Sequence, residues 1–105
     1  FTLDAQSYQV GETLELAFEI VNDGPAPQKV AIDYRVHYVK AKGTRAPKVF
    51  KLKVLELGPG ERVAIKKRQH LKPISTRRYH PGKHALDIQV NGVAFGFCEF
   101  DLSLA

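Results

Sequence analysis

The sequence predicts an all-β sandwich of about seven short antiparallel strands. Three observations support this. Apolar and polar residues alternate with period two through most of the chain. Clusters of Gly, Pro and Asn interrupt the alternation at short intervals, as turns between strands do. No stretch of helical length carries a 3.6-residue apolar period, and no internal repeat appears.

The elements follow in order. A short strand at residues 1–3 opens the chain. In residues 13–21, Leu14, Leu16, Phe18 and Ile20 alternate with Glu15, Ala17 and Glu19, so one face is buried and the acids meet water. Residues 29–40 set Val30, Ile32, Tyr34, Val36 and Tyr38 against Ala31, Asp33, Arg35, His37 and Val39, again one apolar face against a mostly polar one. Residues 49–57 set Phe50, Leu52 and Val54 against Lys51 and Lys53. Leu57 breaks that alternation, so a bulge is expected near Leu55. Residues 62–71 turn Val63 and Ile65 inward and Lys66 and Arg68 outward. Residues 83–90 direct Leu86, Ile88 and Val90 inward, and Asn91-Gly92 makes a hairpin turn because both residues tolerate positive φ. In the last strand Val93, Phe95 and Phe97 are apolar on one parity, and Ala94, Cys98, Phe100 and Leu102 on the other. A bulge is therefore expected to switch its face. Turns at Asn22-Asp23-Gly24-Pro25 and Gly58-Pro59-Gly60 complete the frame, and irregular connections are expected at 41–47 and 72–82. Tyr79, just before the sixth strand, is placed to tie the corner of an immunoglobulin-like or fibronectin III-like sandwich.

A chain of 105 residues with 44% hydrophobic content supports one core without disulfides or metal, so residues 1–105 are read as a single domain. Because position 1 is Phe and not Met, the domain is expected to be a piece from the C-terminus of a longer protein. Its lone Cys98 forms no internal bridge, which favours the cytoplasm. Neither a signal peptide nor a membrane anchor is visible: no apolar run approaches the roughly 20 residues a spanning helix needs.

Charge is distributed unevenly. All sixteen Lys and Arg residues lie within 29–83 beside three acids (Asp33, Glu56 and Glu61), a net +13. The flanks hold the other eight acids and no Lys or Arg, a net −8, which together give the overall +5. Such a basic segment repels itself and suits a polyanionic partner. If consecutive strands are antiparallel, the third and fifth connections share one pole. The third carries Lys40, Lys42, Arg45 and Lys48. The fifth carries Lys72, Arg77, Arg78 and Lys83, with Ser75 and Thr76 as hydroxyl donors. The opposite pole, residues 22–28, 58–61 and 91–92, has Asp23 and Glu61 and no Lys or Arg. Arginine forks pair bidentately with phosphate oxygens, so this basic pole is the candidate DNA-binding site, with contacts that position the backbone without reading sequence. Neutralising five or six phosphates implies a slope of log K against log salt of roughly −4 to −5. Lys51, Lys53, Lys66, Lys67 and Arg68 are candidates to extend the patch along the strands. The plainer reading is that these lysines only solvate a surface, as charge runs usually do.

Catalytic chemistry finds no support. His37, His70, His80 and His84 lack the company that a three- or four-ligand metal site needs. His84, at a strand start, is expected to pack or to bond a carbonyl, and His80 to assist phosphate contact when protonated. Cys98 beside Glu99 has an acidic neighbour, which disfavours the thiolate, and is expected to fill core. With no carboxylate pair, nucleophile elbow or phosphate loop, the domain is expected not to be an enzyme and to carry no cofactor.

Several runs carry a resemblance: Asp33-Tyr34-x-Val36-His37-Tyr38-Val39-Lys40-Ala41, Pro47-Lys48-Val49-Phe50-Lys51-Leu52-Lys53, Pro59-Gly60-Glu61, Lys72-Pro73-Ile74-Ser75-Thr76-Arg77-Arg78-Tyr79 and Pro81-Gly82-x-His84-x-Leu86-x-Ile88-x-Val90-Asn91-Gly92. Over about Val10 to Leu102 the chain resembles the carboxy-terminal immunoglobulin-like domain of some bacterial DNA alkylation repair proteins, the HEAT-repeat alkylpurine DNA glycosylases of the AlkC type. The resemblance implies a non-catalytic accessory domain that grips double-stranded DNA. The base-excision residues would lie in an N-terminal HEAT-repeat domain of the same protein, which works without flipping the base from the stack. None of those residues has a counterpart here, and none is carried over. The domain is expected to be monomeric. Two other readings stay open: a protein-interaction module whose sheet edge or apolar patch binds a partner while basicity solubilises, and a receptor for an acidic polysaccharide.

Overall fold

Leu14, Leu16 and Phe18 on one side and Val30, Ile32, Tyr34 and Val36 on the other are all buried, because alternation gives each strand one face to withdraw from water. In the computed structural model, which describes residues 1–71 and 80–104, eight strands arrange these faces. They are β1 (Thr2–Leu3), β2 (Ser7–Gln9), β3 (Thr13–Val21), β4 (Gln28–Val39), β5 (Arg45–Leu57), β6 (Arg62–His70), β7 (Gly82–Val90) and β8 (Val93–Ser103). One sheet has the order β1-β3-β6 and the other β2-β8-β7-β4-β5. Every neighbouring pair is antiparallel except β2 with β8. The expected sandwich is the fold. Leu86, Ile88, Phe100 and Leu102 complete the layer between the sheets, where each large apolar side chain contributes about 1.5–3 kcal/mol.

Four details differ from the sequence reading. β2 was not expected, since three residues with one inward side chain, Tyr8, show no legible period. The fourth expected strand, as β5, starts at Arg45 instead of Val49. A connection was expected at 41–47, but among the described residues β5 is an edge of its sheet, where Pro47 is tolerated. Arg45 and Lys48 are thus strand residues, and the third connection shrinks to residues 40–44. It is closed by the Lys40 N–H donating to the Thr44 carbonyl at 2.7 Å and the Gly43 N–H to the Lys40 carbonyl at 2.9 Å. The β5 bulge lies at Leu52, not near Leu55, because Ile32 pairs with Lys53 and Asp33 with Lys51. Val54 consequently faces solvent while Leu55 and Leu57 turn inward. Finally, Cys98 is only half-buried.

The face switch expected in the last strand occurs at Gly96. Asp87 pairs with Phe97 and Ile88 with Phe95, leaving Gly96 as the extra residue at φ +67°. Beyond it Phe100 and Leu102 enter the core, while Phe97 moves to the outer face of the sheet opposite Asp87. Asn91 (φ +50°) and Gly92 (φ +81°) make the β7–β8 turn in the left-handed conformation that hairpins prefer.

Candidate nucleic-acid interface

β4 runs toward one end of the sandwich and β7 starts there. A side chain at Gly82 would touch Val39, whose methyl carbons lie 3.6 and 3.7 Å from the position of its Cβ. The tip of the β4–β5 hairpin stands beside His80, just ahead of β7. Lys40, Lys42 and Lys48 line one open cavity there, of about 660 Å³, with Thr44 and His80. Among the described residues none of these three lysines has a carboxylate within ion-pair distance. Lys48 rests its ammonium over the Phe50 ring at 5.3 Å, and Phe50 stacks on Tyr34 with centroids 5.0 Å apart. The aromatic stack supports that cation's stem without cancelling its charge.

His84 forms the inner wall of this cavity and is fully buried. Its Nε2 donates to the His80 carbonyl at 2.9 Å, and its Nδ1 accepts from the Val39 N–H at 3.4 Å. That pairing fits the neutral ring with its proton on Nε2, the carbonyl-bonding role expected of His84. Burial pushes its pKa below the ordinary histidine value; nearby Arg45 and His80 push the same way, against the hydrogen bond to His80.

Arg45 and Lys83 lie elsewhere and are not free. Arg45 reaches over the outer face of the larger sheet to Glu99, Nη1 to Oε2 at 2.8 Å, with its guanidinium carbon 5.6 Å from the centre of the Phe97 ring. Lys83 faces Asp101 at 3.9 Å, its register partner on β8. The sequence groups these two residues with the loop lysines; in the fold each is ion-paired, because the acidic C-terminal flank folds back as β8 beside them. Linear charge segregation is thus only partly preserved in space. Thr44 belongs to the lysine cavity but escaped the sequence reading; its place at a hairpin tip between Lys42 and Arg45 was the available signal. Lys72, Ser75, Thr76, Arg77 and Arg78, like the corner residue Tyr79, lie outside the described residues.

The strand-borne lysines separate as well. Lys51 and Lys53 sit on β5, and Lys66, Lys67 and Arg68 on β6, so they belong to opposite sheets rather than to one. Both strands are sheet edges, and residues 58–61 join them on the flank away from β1, whose neighbour Phe1 packs at Gly96 of β8. Two arginines on that flank are tied to β3: Arg62 to Glu19 at 3.2 Å and Arg68 to Glu15 at 3.4 Å. Such exposed pairs are weak.

The outer face of the larger sheet holds one buried charge cluster. Asp87 on β7 accepts from both Arg35 Nε, at 2.9 Å, and Arg35 Nη2, which raises the arginine pKa. His37 Nε2 lies 3.5 Å from the same carboxylate and has no hydrogen-bond partner among the described residues. Among the described residues no group of three or more His, Cys, Asp or Glu could hold a metal ion.

Similarity to known proteins covers nearly all of the chain. Residues 1–104 match the family model described as "Uncharacterised protein YhaZ, C-terminal Ig-like domain". YhaZ of Bacillus subtilis (strain 168) is 37% identical over 83 residues, covering 79% of this chain and 23% of YhaZ. Among solved structures, Pseudomonas fluorescens alkylpurine DNA glycosylase AlkC, bound to DNA containing an abasic site analog, superposes with a TM-score of 0.93 at 40% identity. That match covers 96% of this chain and 28% of AlkC. The β-glucosidase of Listeria innocua also superposes, with a TM-score of 0.80 over 100% of this chain and 15% of the enzyme, but at 15% identity it shares the fold alone. This chain spans about a quarter of the length of YhaZ and of AlkC.

Proposed function

This chain belongs to the family of YhaZ C-terminal Ig-like domains, and on that premise we propose that it is a non-catalytic DNA-binding accessory domain of a DNA alkylation repair glycosylase. The observation that carries the reading is the 40% identity, over nearly the whole domain, to a module of AlkC, a glycosylase whose structure contains DNA. The lysine pole supplies the physical means. Lys40, Lys42 and Lys48 form a cluster at one end of the sandwich that no carboxylate among the described residues neutralises, which suits backbone phosphates met without regard to base sequence. Lys72, Ser75, Thr76, Arg77 and Arg78, which precede β7 in the sequence, are assigned the same role. Arg45 and Lys83 contribute only where a phosphate displaces Glu99 or Asp101. Base excision belongs to the rest of the parent protein, an N-terminal HEAT-repeat body, and the parent acts as a monomer.

Charge reversal in the full-length parent tests this. With Lys40→Glu and Lys42→Glu together, duplex affinity and excision should fall together. The slope of log K against log salt should become shallower by about 0.9 for each phosphate that is no longer neutralised. Unchanged affinity and slope would reject the lysine pole as the contact surface.

A further inference from the structure

We infer that the pole opposite the lysines is the surface on which this domain docks against the body of its parent protein. The inference rests on the reading of the chain as the C-terminal module of a longer protein. An open cavity of about 440 Å³ lies at that end, walled by Phe1, Phe18, Ile20 and Phe95, with no Lys or Arg among the described residues that line it. Phe95 is 57% exposed and Val21 48%, and both line it. Val93, at the neighbouring turn, is exposed as well. A concave apolar surface left open in this way is what a partner covers.

Where the parent joins decides which partner. Phe1 forms part of the cavity wall and packs against Gly96, so closely that a Cβ there would lie 2.8 Å from its ring. β1 pairs antiparallel with β3, Thr2 opposite Ala17 and Leu3 opposite Leu16. Traced back from Leu3 to Phe1, the chain therefore heads toward the pole formed by residues 22–28 and 91–92, away from Lys40 and Lys42. YhaZ and AlkC each carry about three quarters of their length outside the region that matches this domain. The body in a parent of this kind thus meets the domain at the apolar pole first. The occupant is an apolar side-chain cluster of that body, with cations or N–H donors facing Glu19 and Asp23 on the rim. Seated there, the body holds the lysine pole at the far end of a domain 48 Å long. A fixed arm engages a second stretch of backbone with less entropy loss than a tethered one.

Phe95 and Phe97 give an internal control, being 57% and 55% exposed but on different surfaces: Phe95 lines the cavity and Phe97 lies on the outer sheet face by Arg45. Hydroxyl-radical footprinting of the full-length parent without DNA, resolved by tandem mass spectrometry, reads both rings in one peptide. Docking at the cavity should slow oxidation of Phe95 at least about threefold relative to Phe97. Equal rates, or stronger protection of Phe97, would overturn the inference. Because no DNA is present, neither result bears on the lysine pole; conversely, failure of the charge-reversal test would leave the footprint standing.

Discussion

Arg45 and Glu99 form an ion pair of 2.8 Å although two whole strands, β4 and β7, lie between the strands that carry them. The two side chains are 34% and 44% exposed, so the bond itself stabilises the fold by no more than about 1 kcal/mol. Its larger effect is on the field outside, where it removes one cation from a surface proposed to meet phosphates. Glu99→Gln should leave the unfolding midpoint almost unchanged while tightening duplex binding of the parent severalfold at low salt. Fluorescence anisotropy across a salt series would show it, and weaker binding would argue that Glu99 positions Arg45 instead of masking it.

Asp87 is the one buried carboxylate among the described residues, and it answers to both Arg35 and His37. Asp87→Asn keeps the shape but leaves the Arg35 guanidinium, three-quarters covered, facing a neutral amide. Removing one partner of a largely buried pair is costly because the other charge stays desolvated, so about 2 kcal/mol of stability should disappear. Urea denaturation at neutral pH would measure it as a lower midpoint at constant slope, and a midpoint within error of the unaltered protein would refute it.

Strand positions were legible where one face had to be buried, and failed where edge chemistry replaced that demand. Leu14, Leu16 and Phe18 could face only inward, and do. Among the described residues β5 has no neighbour beyond it, so Pro47 fits inside it and Val54 tolerates solvent. Both misled a reading based on breakers and apolar parity. The lysine cluster of Lys40 and Lys42 was legible because a hairpin tip is local. The partner of Arg45 was not, because Glu99 comes from the far end of the sequence and only the order of β8, β7, β4 and β5 brings the two together, whereas Asp101 meets Lys83 across the β7–β8 hairpin. No one-dimensional charge count contains that order.

Gly96 combines two separable demands: a left-handed backbone at φ +67° and a Phe1 ring 2.8 Å from where a side chain would begin. Gly92 has only the first, with φ +81° and nothing within 4 Å. Gly92→Ala should therefore cost about 1 kcal/mol, the backbone penalty alone. Gly96→Ala should cost distinctly more, since Phe1 must also leave its place. The difference between the two, from thermal or urea unfolding, measures how firmly Phe1 is held, and equal costs would show that Phe1 moves aside freely.

The pH dependence of stability should carry the mark of His84. Its pKa in the folded protein is depressed, chiefly by burial, whereas in the unfolded chain it returns to about 6.5. The unfolded state then binds the proton more readily, so acid favours unfolding. The stability that His84 contributes is complete above about pH 6.5 and is lost as pH falls below that value toward the lower folded-state pKa. Within that window each pH unit costs about 1.4 kcal/mol. Unfolding free energies at pH 7.5 and 5.5 should therefore differ, and His84→Gln, which offers an N–H to the His80 carbonyl without titrating, should narrow the difference. An unaltered pH response in the variant would mean that the proton responsible binds elsewhere.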